Sequence, residues 1–185
     1  KSANTTAPEK RLESYRILEE LLINSISEKT QELNIKAFFE EIEGKCGKIT
    51  INDIKALLNY LKIKKVIEYN YKRYDDNYAR ADYIEIKSKF AIDELKQKAD
   101  KRWRAAEKII AYLYSKYKKS ENTEKEQPVE FSRLELIENH KSDLFAENVT
   151  IEEIDDALFY LLKIRALKIE GEFLVVYNRM QLQRT

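Results

Sequence analysis

The sequence predicts a mainly α-helical chain with small β-hairpins, an α+β class, built from two related copies of one unit. Its 185 residues are 43% hydrophobic and 11% aromatic, which is enough to form a core. Segments that begin at Thr50 and Thr150 match at an offset of 100 residues, and in this register Tyr60 falls on Tyr160. Self-similarity at such a long period indicates a duplicated unit of near-domain size.

The composition excludes several classes of protein. Cys46 is the only cysteine, so an internal disulfide and a multi-cysteine zinc site are excluded, and a cytoplasmic location is expected. No apolar run approaches the length of a membrane span, and residues 1–8 lack the apolar stretch of a signal peptide. We therefore expect no membrane contact. We also expect a piece of a longer chain, with residues 1–10 as a flexible N-terminal linker.

The first copy is assigned to residues 11–88 and opens with three helical patterns. Apolar residues recur every three or four positions over 12–26, and a shorter stripe covers 35–42. The third helix begins at Thr50, which forms a weak capping box with Asp53.

The second copy is assigned to residues 89–185 and opens with a long basic helix. Ten basic residues stand against four acidic ones over 89–119. Ser132 begins a short helix, and Thr150 forms a capping box with Glu153 at the start of the third.

Each third helix is followed by a predicted hairpin. In the first copy, alternation predicts strands at 66–71 and 83–86 around a polar segment over 73–82. In the second, strands at 167–169 and 173–177 flank a tight turn. Three helices and a hairpin, found twice, are the order of tandem winged-helix domains.

Catalytic patterns are missing from the sequence. His140 is the only histidine, which excludes multi-histidine metal sites within the chain, and we expect it to be a surface residue and not a member of a catalytic triad. Cys46 is interpreted as a small half-buried thiol. The acids at 152–156 are interpreted as the N-terminal end of a helix, where the helix dipole favours negative charge. We therefore expect no catalytic residue, no metal and no cofactor, and a fragment that is not an enzyme.

Binding of DNA, as a duplex or a fork, is expected of the first copy. Its third helix and its hairpin carry cations interleaved with tyrosines that are able to stack on an unpaired base. The candidate nucleic-acid-binding residues are Lys55, Asn59, Lys62, Lys64, Lys65, Lys72, Arg73, Tyr74, Tyr78 and Arg80. The same residue types also occur on ordinary exposed helices and strands, so both interpretations remain open.

The second copy has the opposite charge. Twelve acidic residues stand against three basic ones over 121–156, and its third helix has no Lys or Arg before Lys163. Phosphate would be repelled along such a helix. We therefore expect this copy to contact a protein or a motor domain.

The end of the chain resembles a known family. The residues that carry the resemblance are Thr150-Ile151-Glu152-Glu153-Ile154, Tyr160-Leu161 and Phe173-Leu174-Val175-Val176-Tyr177-Asn178-Arg179-Met180. They are similar to the C-terminal accessory region of bacterial RecQ-like superfamily 2 DNA helicases. The resemblance implies an ATP-binding motor elsewhere in the parent chain and a winged helix that positions duplex or forked DNA for it. The motor motifs and the four-cysteine zinc subdomain of that family are absent here.

Two other functions remain open. A tandem winged helix is also typical of transcription or replication-initiation regulators, although the acidic second copy argues against two DNA-reading helices. A protein-protein interaction module without nucleic-acid binding is the other alternative, and the net charge of only +1 favours it.

Overall fold

The computed structural model describes residues 8–28, 32–76, 79–119, 130–131, 150–170 and 173–176. Over these ranges the chain is mainly helical with small antiparallel sheets, which confirms the predicted α+β class. The helices are α1 (Pro8–Glu28), α2 (Ile35–Ile42), α3 (Ile51–Ile63), α4 (Ile92–Lys119) and α5 (Ile151–Lys163). The strands are β1 (Glu32–Asn34), β2 (Ile67–Asp76), β3 (Ala79–Ser88), β4 (Glu130–Phe131), β5 (Leu167–Glu170) and β6 (Phe173–Val176).

The chain forms two compact units. We call residues 14–99 the central unit, and residues 1–13 together with 100–185 the split unit. The predicted boundary after residue 88 lies between β3 and α4, whereas the units divide inside α1 and α4. No glycine or proline interrupts either helix after Pro8, so the sequence has no local signal at these divisions. The predicted domain limits stay a prediction.

Helix α1 begins earlier than the sequence analysis expected. Pro8 is its first residue, so residues 8–10 of the expected linker are helical, and residues 1–7 lie outside the described ranges. Proline suits the first turn of a helix because its missing N–H has no helical partner there and its φ is already helical.

The central unit contains a three-stranded sheet in the order β1-β3-β2. Strand β1 pairs antiparallel with β3, with Leu33 opposite Ile84. The sequence analysis missed β1, because three residues are too few to show alternation. Its last residue, Asn34, also caps α2 by accepting a hydrogen bond from the Ala37 backbone N–H at 3.1 Å.

The β2–β3 hairpin is longer than predicted. The polar segment expected to connect the strands is mostly strand, and the paired register runs from Ile67 opposite Ser88 to Asp76 opposite Ala79. The prediction of a connection over 73–82 was therefore wrong. The backbone pairing of β2 with β3 is unbroken over this segment, with Arg73 opposite Asp82 and Arg80 opposite Asp75 in the register.

The core of the central unit lies between one face of this sheet and the helices. Ile67 and Tyr69 of β2 are buried, whereas Glu68 and Asn70 are exposed, as the alternation of a one-sided sheet requires. The helical residues of the core are Tyr15, Leu18, Leu22, Ile35, Phe38, Ile42, Ile54, Leu57, Leu58, Tyr60 and Leu61.

The turn between α2 and α3 holds the single cysteine. Gly44 and Gly47 adopt positive φ values of 83° and 72°, which glycine tolerates without strain. A Cβ atom at Gly47 would lie 3.1 Å from the Ser14 hydroxyl oxygen, so this turn packs closely on α1. Cys46 between them is only 2% exposed.

The split unit also contains a three-stranded sheet, in the order β4-β6-β5. The predicted hairpin is confirmed, with Leu167 opposite Val176. Strand β4, which the sequence analysis missed, pairs with β6 and places Phe131 opposite Leu174. The helix expected to begin at Ser132 lies outside the described ranges. Apolar core residues of this unit are Leu12, Ala105, Ala106, Ile109, Ile110, Leu113, Ile154, Leu158, Leu161, Ile164 and Leu167.

Helices α3 and α5 have matching N-terminal ends. The Thr50 hydroxyl accepts a hydrogen bond from the Asp53 backbone N–H at 3.3 Å, and the Asp53 carboxylate accepts one from the Thr50 N–H, which completes a capping box. The Thr150 hydroxyl accepts from the Glu153 N–H at 3.2 Å. Both predicted helix starts are therefore confirmed.

The C-terminal ends of these helices also match. After α3, the Val66 N–H donates to the Leu61 carbonyl at 3.0 Å, and Lys65 has a φ of 58°. After α5, the Ala166 N–H makes the corresponding bond, and Arg165 has a φ of 62°. This is the Schellman motif, in which a left-handed residue ends the helix. The offset of 100 residues therefore extends to both caps.

Candidate nucleic-acid interface

The solvent-facing side of α3 presents amides and lysines. Asn52 and Lys62 are exposed, and Lys55 and Asn59 are half-buried. Asp53 is the only carboxylate of the helix and is just 7% exposed. The outer surface of α3 therefore carries positive charge and amide groups without an exposed acid of its own.

Three hydrogen bonds hold the Asp53 carboxylate inside the central unit. Its Oδ2 atom accepts from the Thr50 backbone N–H at 2.9 Å and from the Thr50 hydroxyl at 3.0 Å. Its Oδ1 atom accepts from the Tyr15 hydroxyl at 2.6 Å, and Tyr15 is fully buried on α1. Hydrogen bonds to a charged acceptor are stronger than neutral ones. The single acid of α3 thus fixes the start of the helix against α1.

Lys62 lies between α3 and the hairpin. Its Nζ atom is 4.6 Å from the centre of the Tyr69 ring and 3.4 Å from the Tyr69 carbonyl oxygen. A cation over an aromatic face is attracted to the ring electrons. Lys62 remains exposed, so its charge faces solvent while its position is fixed by β2.

Lys64 and Lys65 follow α3 in the Schellman turn, and both are exposed. The positive φ of Lys65 costs about 1–2 kcal/mol for a residue that has a Cβ atom. A cation near the C-terminal end of a helix is favoured by the helix dipole, which offsets part of this cost.

The far half of the hairpin carries no net charge. Lys72, Arg73 and Tyr74 lie on β2 and Arg80 lies on β3, with side chains outside the described part of the structure, and Tyr78 lies outside it entirely. Over residues 72–82, three cations are balanced by Asp75, Asp76 and Asp82. The backbone register sets Arg73 opposite Asp82 and Arg80 opposite Asp75. The sequence analysis overlooked these acids because it counted only the cations.

The base of the hairpin is basic. The Lys89 N–H donates to the Val66 carbonyl at 3.3 Å, and Lys87 is opposite Glu68 in the strand register. Both lysines are exposed, and they lie beside the turn that carries Lys65. Sequence reasoning did not place Lys87 at this site because it ended the second strand at residue 86, and it assigned Lys89 to the basic run of the second copy.

The Phe90 ring lies near Lys89 and near one further cation, Lys98, at this end of the hairpin. The Lys98 Nζ atom is 4.7 Å from the centre of its ring, and the Lys89 Nζ atom is 6.0 Å away. The Ser88 hydroxyl accepts from the Phe90 N–H at 3.2 Å and donates to the Phe90 carbonyl at 2.8 Å. These bonds fix the ring next to the end of β3.

Helix α5 presents the opposite charge. Glu152 is exposed, and Glu153, Asp155 and Asp156 are half-buried. The helix has no cation before Lys163. The surface of α5 is therefore acidic where that of α3 carries amides and lysines.

Two cations of the split unit are buried. The Arg11 Nε atom donates to the Ile164 carbonyl at the end of α5. The Arg102 guanidinium lies 4.6 Å from the centre of the Tyr160 ring. Both side chains are less than 9% exposed, so they belong to the interior of this unit and add little to its surface charge.

The chemistry of a nucleophile or metal site is not supported within the described ranges. Burial raises the pKa of the Cys46 thiol, against a smaller opposite effect of Lys45, so the uncharged thiol dominates at neutral pH. No group of three or more metal-ligating side chains occurs in the described part of the chain. His140 lies outside it. None of the helices described is both long and apolar enough to cross a membrane.

Comparison of the chain with protein-family models, with curated proteins and with solved structures found no significant match. The chemistry of the surfaces is therefore the basis for assigning a function.

Proposed function

We propose that each unit is a winged-helix domain and that the central unit is a non-catalytic DNA-binding module. The order helix, strand, helix, helix, hairpin, with the first strand paired to the last, supports this assignment for the central unit. The split unit repeats the same sheet order around α5. In such domains the third helix enters the major groove, and here α3 is that helix.

The position of Asp53 carries the proposal. A helix that enters a groove passes between two rows of phosphates, so an exposed carboxylate on it would be repelled. In α3 the only carboxylate is hydrogen-bonded to Thr50 and Tyr15, away from solvent. The outer face is left to Lys55, which suits phosphate, and Asn59, whose amide suits a base edge.

A narrower role is that of an accessory module in a RecQ-like helicase. It rests on the resemblance of residues 150–180 to that family. In this role the central unit positions duplex or forked DNA for an ATP-driven motor elsewhere in the parent chain. A preference for forked over plain duplex DNA would support it.

Fluorescence anisotropy of labelled duplex, forked and single-stranded DNA, at low and moderate salt, tests the proposal on the full chain. The variant Lys55→Gln/Lys62→Gln removes two charges from α3, and the control Lys163→Gln/Arg165→Gln removes two from the C-terminal end of α5 and the turn that follows it. We expect salt-sensitive binding by the wild type, a loss of about 1.8 in the salt slope for the α3 variant, and no change for the control. Absence of binding at low salt, or an equal loss in both variants, contradicts the proposal.

Protein contact through α5 is a second proposal, supported by its run of acids. A partner for this surface would present a basic segment. Titration of the isotope-labelled chain with an oligolysine peptide at low salt should shift the amide resonances of α5. Shifts confined to other elements would contradict it.

A further inference from the structure

We propose that the phosphate backbone of DNA is held at the base of the β2–β3 hairpin and not at its tip. The surface is a basic corner formed by residues 62–66 and 87–91. This inference rests on the proposed DNA-binding function and names the surface that makes the electrostatic contact.

Backbone geometry brings the two segments of the basic corner together. The Lys89 N–H donates to the Val66 carbonyl, and the next residues along pair as Ile67 with Ser88. The lysines of the corner are Lys62, Lys64, Lys65, Lys87 and Lys89, and all five are exposed. Neither segment contains an acidic residue, and Glu68, opposite Lys87, is the nearest acid in the strand register.

Three of these lysines come together at the end of the hairpin. Lys87 lies on β3, and Lys89 follows the end of β3 two residues later. Lys65, beside Val66, adds a third cation across the strand pair.

The tip of the hairpin lacks this excess of charge. Its three cations share residues 72–82 with three acids, and two of the cations are directly opposite acids in the register. Phosphates at the tip would meet carboxylates as often as cations, and few counterions would be released there. The base provides five lysines over a comparable length of chain.

Two variants with the same change in charge test the inference. Lys65→Gln/Lys87→Gln/Lys89→Gln removes three charges from the base, and Lys72→Gln/Arg73→Gln/Arg80→Gln removes three from the tip. Binding of duplex DNA is measured by anisotropy on the full chain across a salt series. We expect the base variant to bind at least tenfold more weakly at low salt, with a salt slope smaller by about 2.7, and the tip variant to stay within about twofold of the wild type.

A variant that retains the charge distinguishes loss of the contact with DNA from loss of folding. Lys65→Arg/Lys87→Arg/Lys89→Arg should bind like the wild type if the corner acts through its charge, and circular dichroism reports whether each variant is folded. An equal loss in the base and tip variants, or a larger loss at the tip, overturns the inference while the DNA-binding function stands. Absence of DNA binding by the wild type, with binding to vesicles that contain anionic lipid, overturns both.

Discussion

Helices α3 and α5 have matching ends and matching buried positions but opposite outer surfaces. Both contain 13 residues, begin at a capping threonine and end in a Schellman turn. Their buried positions also match, for Tyr60 corresponds to Tyr160 and Ile54 to Ile154. The outward positions have diverged to amides and lysines in one helix and to acids in the other. The two helices therefore share the caps and buried positions that folding requires, whereas their solvent-facing positions differ in charge.

The third position of each helix is an acidic residue whose burial differs between the two helices. Asp53 is buried by its bonds to Thr50 and to the Tyr15 hydroxyl. Glu153, at the matching position, is half-exposed and adds to the acidic surface of α5. An acidic residue at the same capping position thus contributes to the interior of one unit and to the surface of the other.

Matched core truncations give the largest expected effect. Leu58→Ala and Leu158→Ala should each reduce the free energy of unfolding by about 3 kcal/mol, because each removes a buried side chain and leaves a cavity. Urea denaturation followed by circular dichroism measures the change. Ile63→Ala is the control, since Ile63 is 51% exposed and should cost less than about 1 kcal/mol. If only one of the two leucine variants lost little free energy of unfolding, the two positions would not be equally buried in the cores of their units.

Removal of the capping acid should have different effects on the stability of the two helices. Asp53→Ala should cost about 2 kcal/mol, because it removes the capping box and the acceptor of a buried hydroxyl. Glu153→Ala should cost no more than about 0.5 kcal/mol. Amide exchange across α3 and α5 measures each locally. A double-mutant cycle with Tyr15→Phe should show coupling to Asp53, and additive effects would contradict the bond.

Exchange of outer charges should change DNA binding in opposite directions. Asn52→Asp/Asn59→Asp places two acids on α3 and should weaken duplex binding about tenfold at low salt. Glu152→Gln/Asp155→Asn/Asp156→Asn removes three acids from α5 and should strengthen it by no more than about threefold. Anisotropy titrations measure both. If the α3 variant bound like the wild type, α3 would not lie at the DNA surface.

Glycine at the two left-handed caps gives the smallest expected effect. Lys65→Gly and Arg165→Gly should each stabilise the chain by about 0.5 kcal/mol, because glycine adopts a positive φ without strain. Thermal unfolding measures the change. Lys65→Gly should weaken DNA binding even so, whereas Arg165→Gly should not. Loss of stability at both positions would contradict the cap geometry.

Periodicity and capping residues were sufficient to predict the five helices of the described ranges and the second hairpin. They failed for β1 and β4, because strands of three and two residues show no alternation and depend on pairing with β3 and β6. They also failed for the outer half of β2 and β3, where backbone pairing continues through a segment that has no apolar alternation in the sequence. Strand pairing depends on partners far along the chain, so local patterns do not reveal it.

The candidate site was only partly predictable. Lys55 and Asn59 were found because they lie between the apolar positions of a recognisable helix. The burial of Asp53 was not, since it depends on Tyr15, 38 residues earlier in the chain. Lys87 and Lys89 were missed because their proximity to Lys65 follows from the hairpin register.

The closely packed turn around Cys46 provides a natural probe of local opening. A thiol that is 2% exposed, with a pKa raised by burial, reacts with a soluble disulfide reagent only when the turn opens. Its labelling rate, relative to that of a small free thiol, therefore reports the free energy of separating this turn from α1. Because the chain has no other cysteine, this signal needs no engineered label and no correction for a second site.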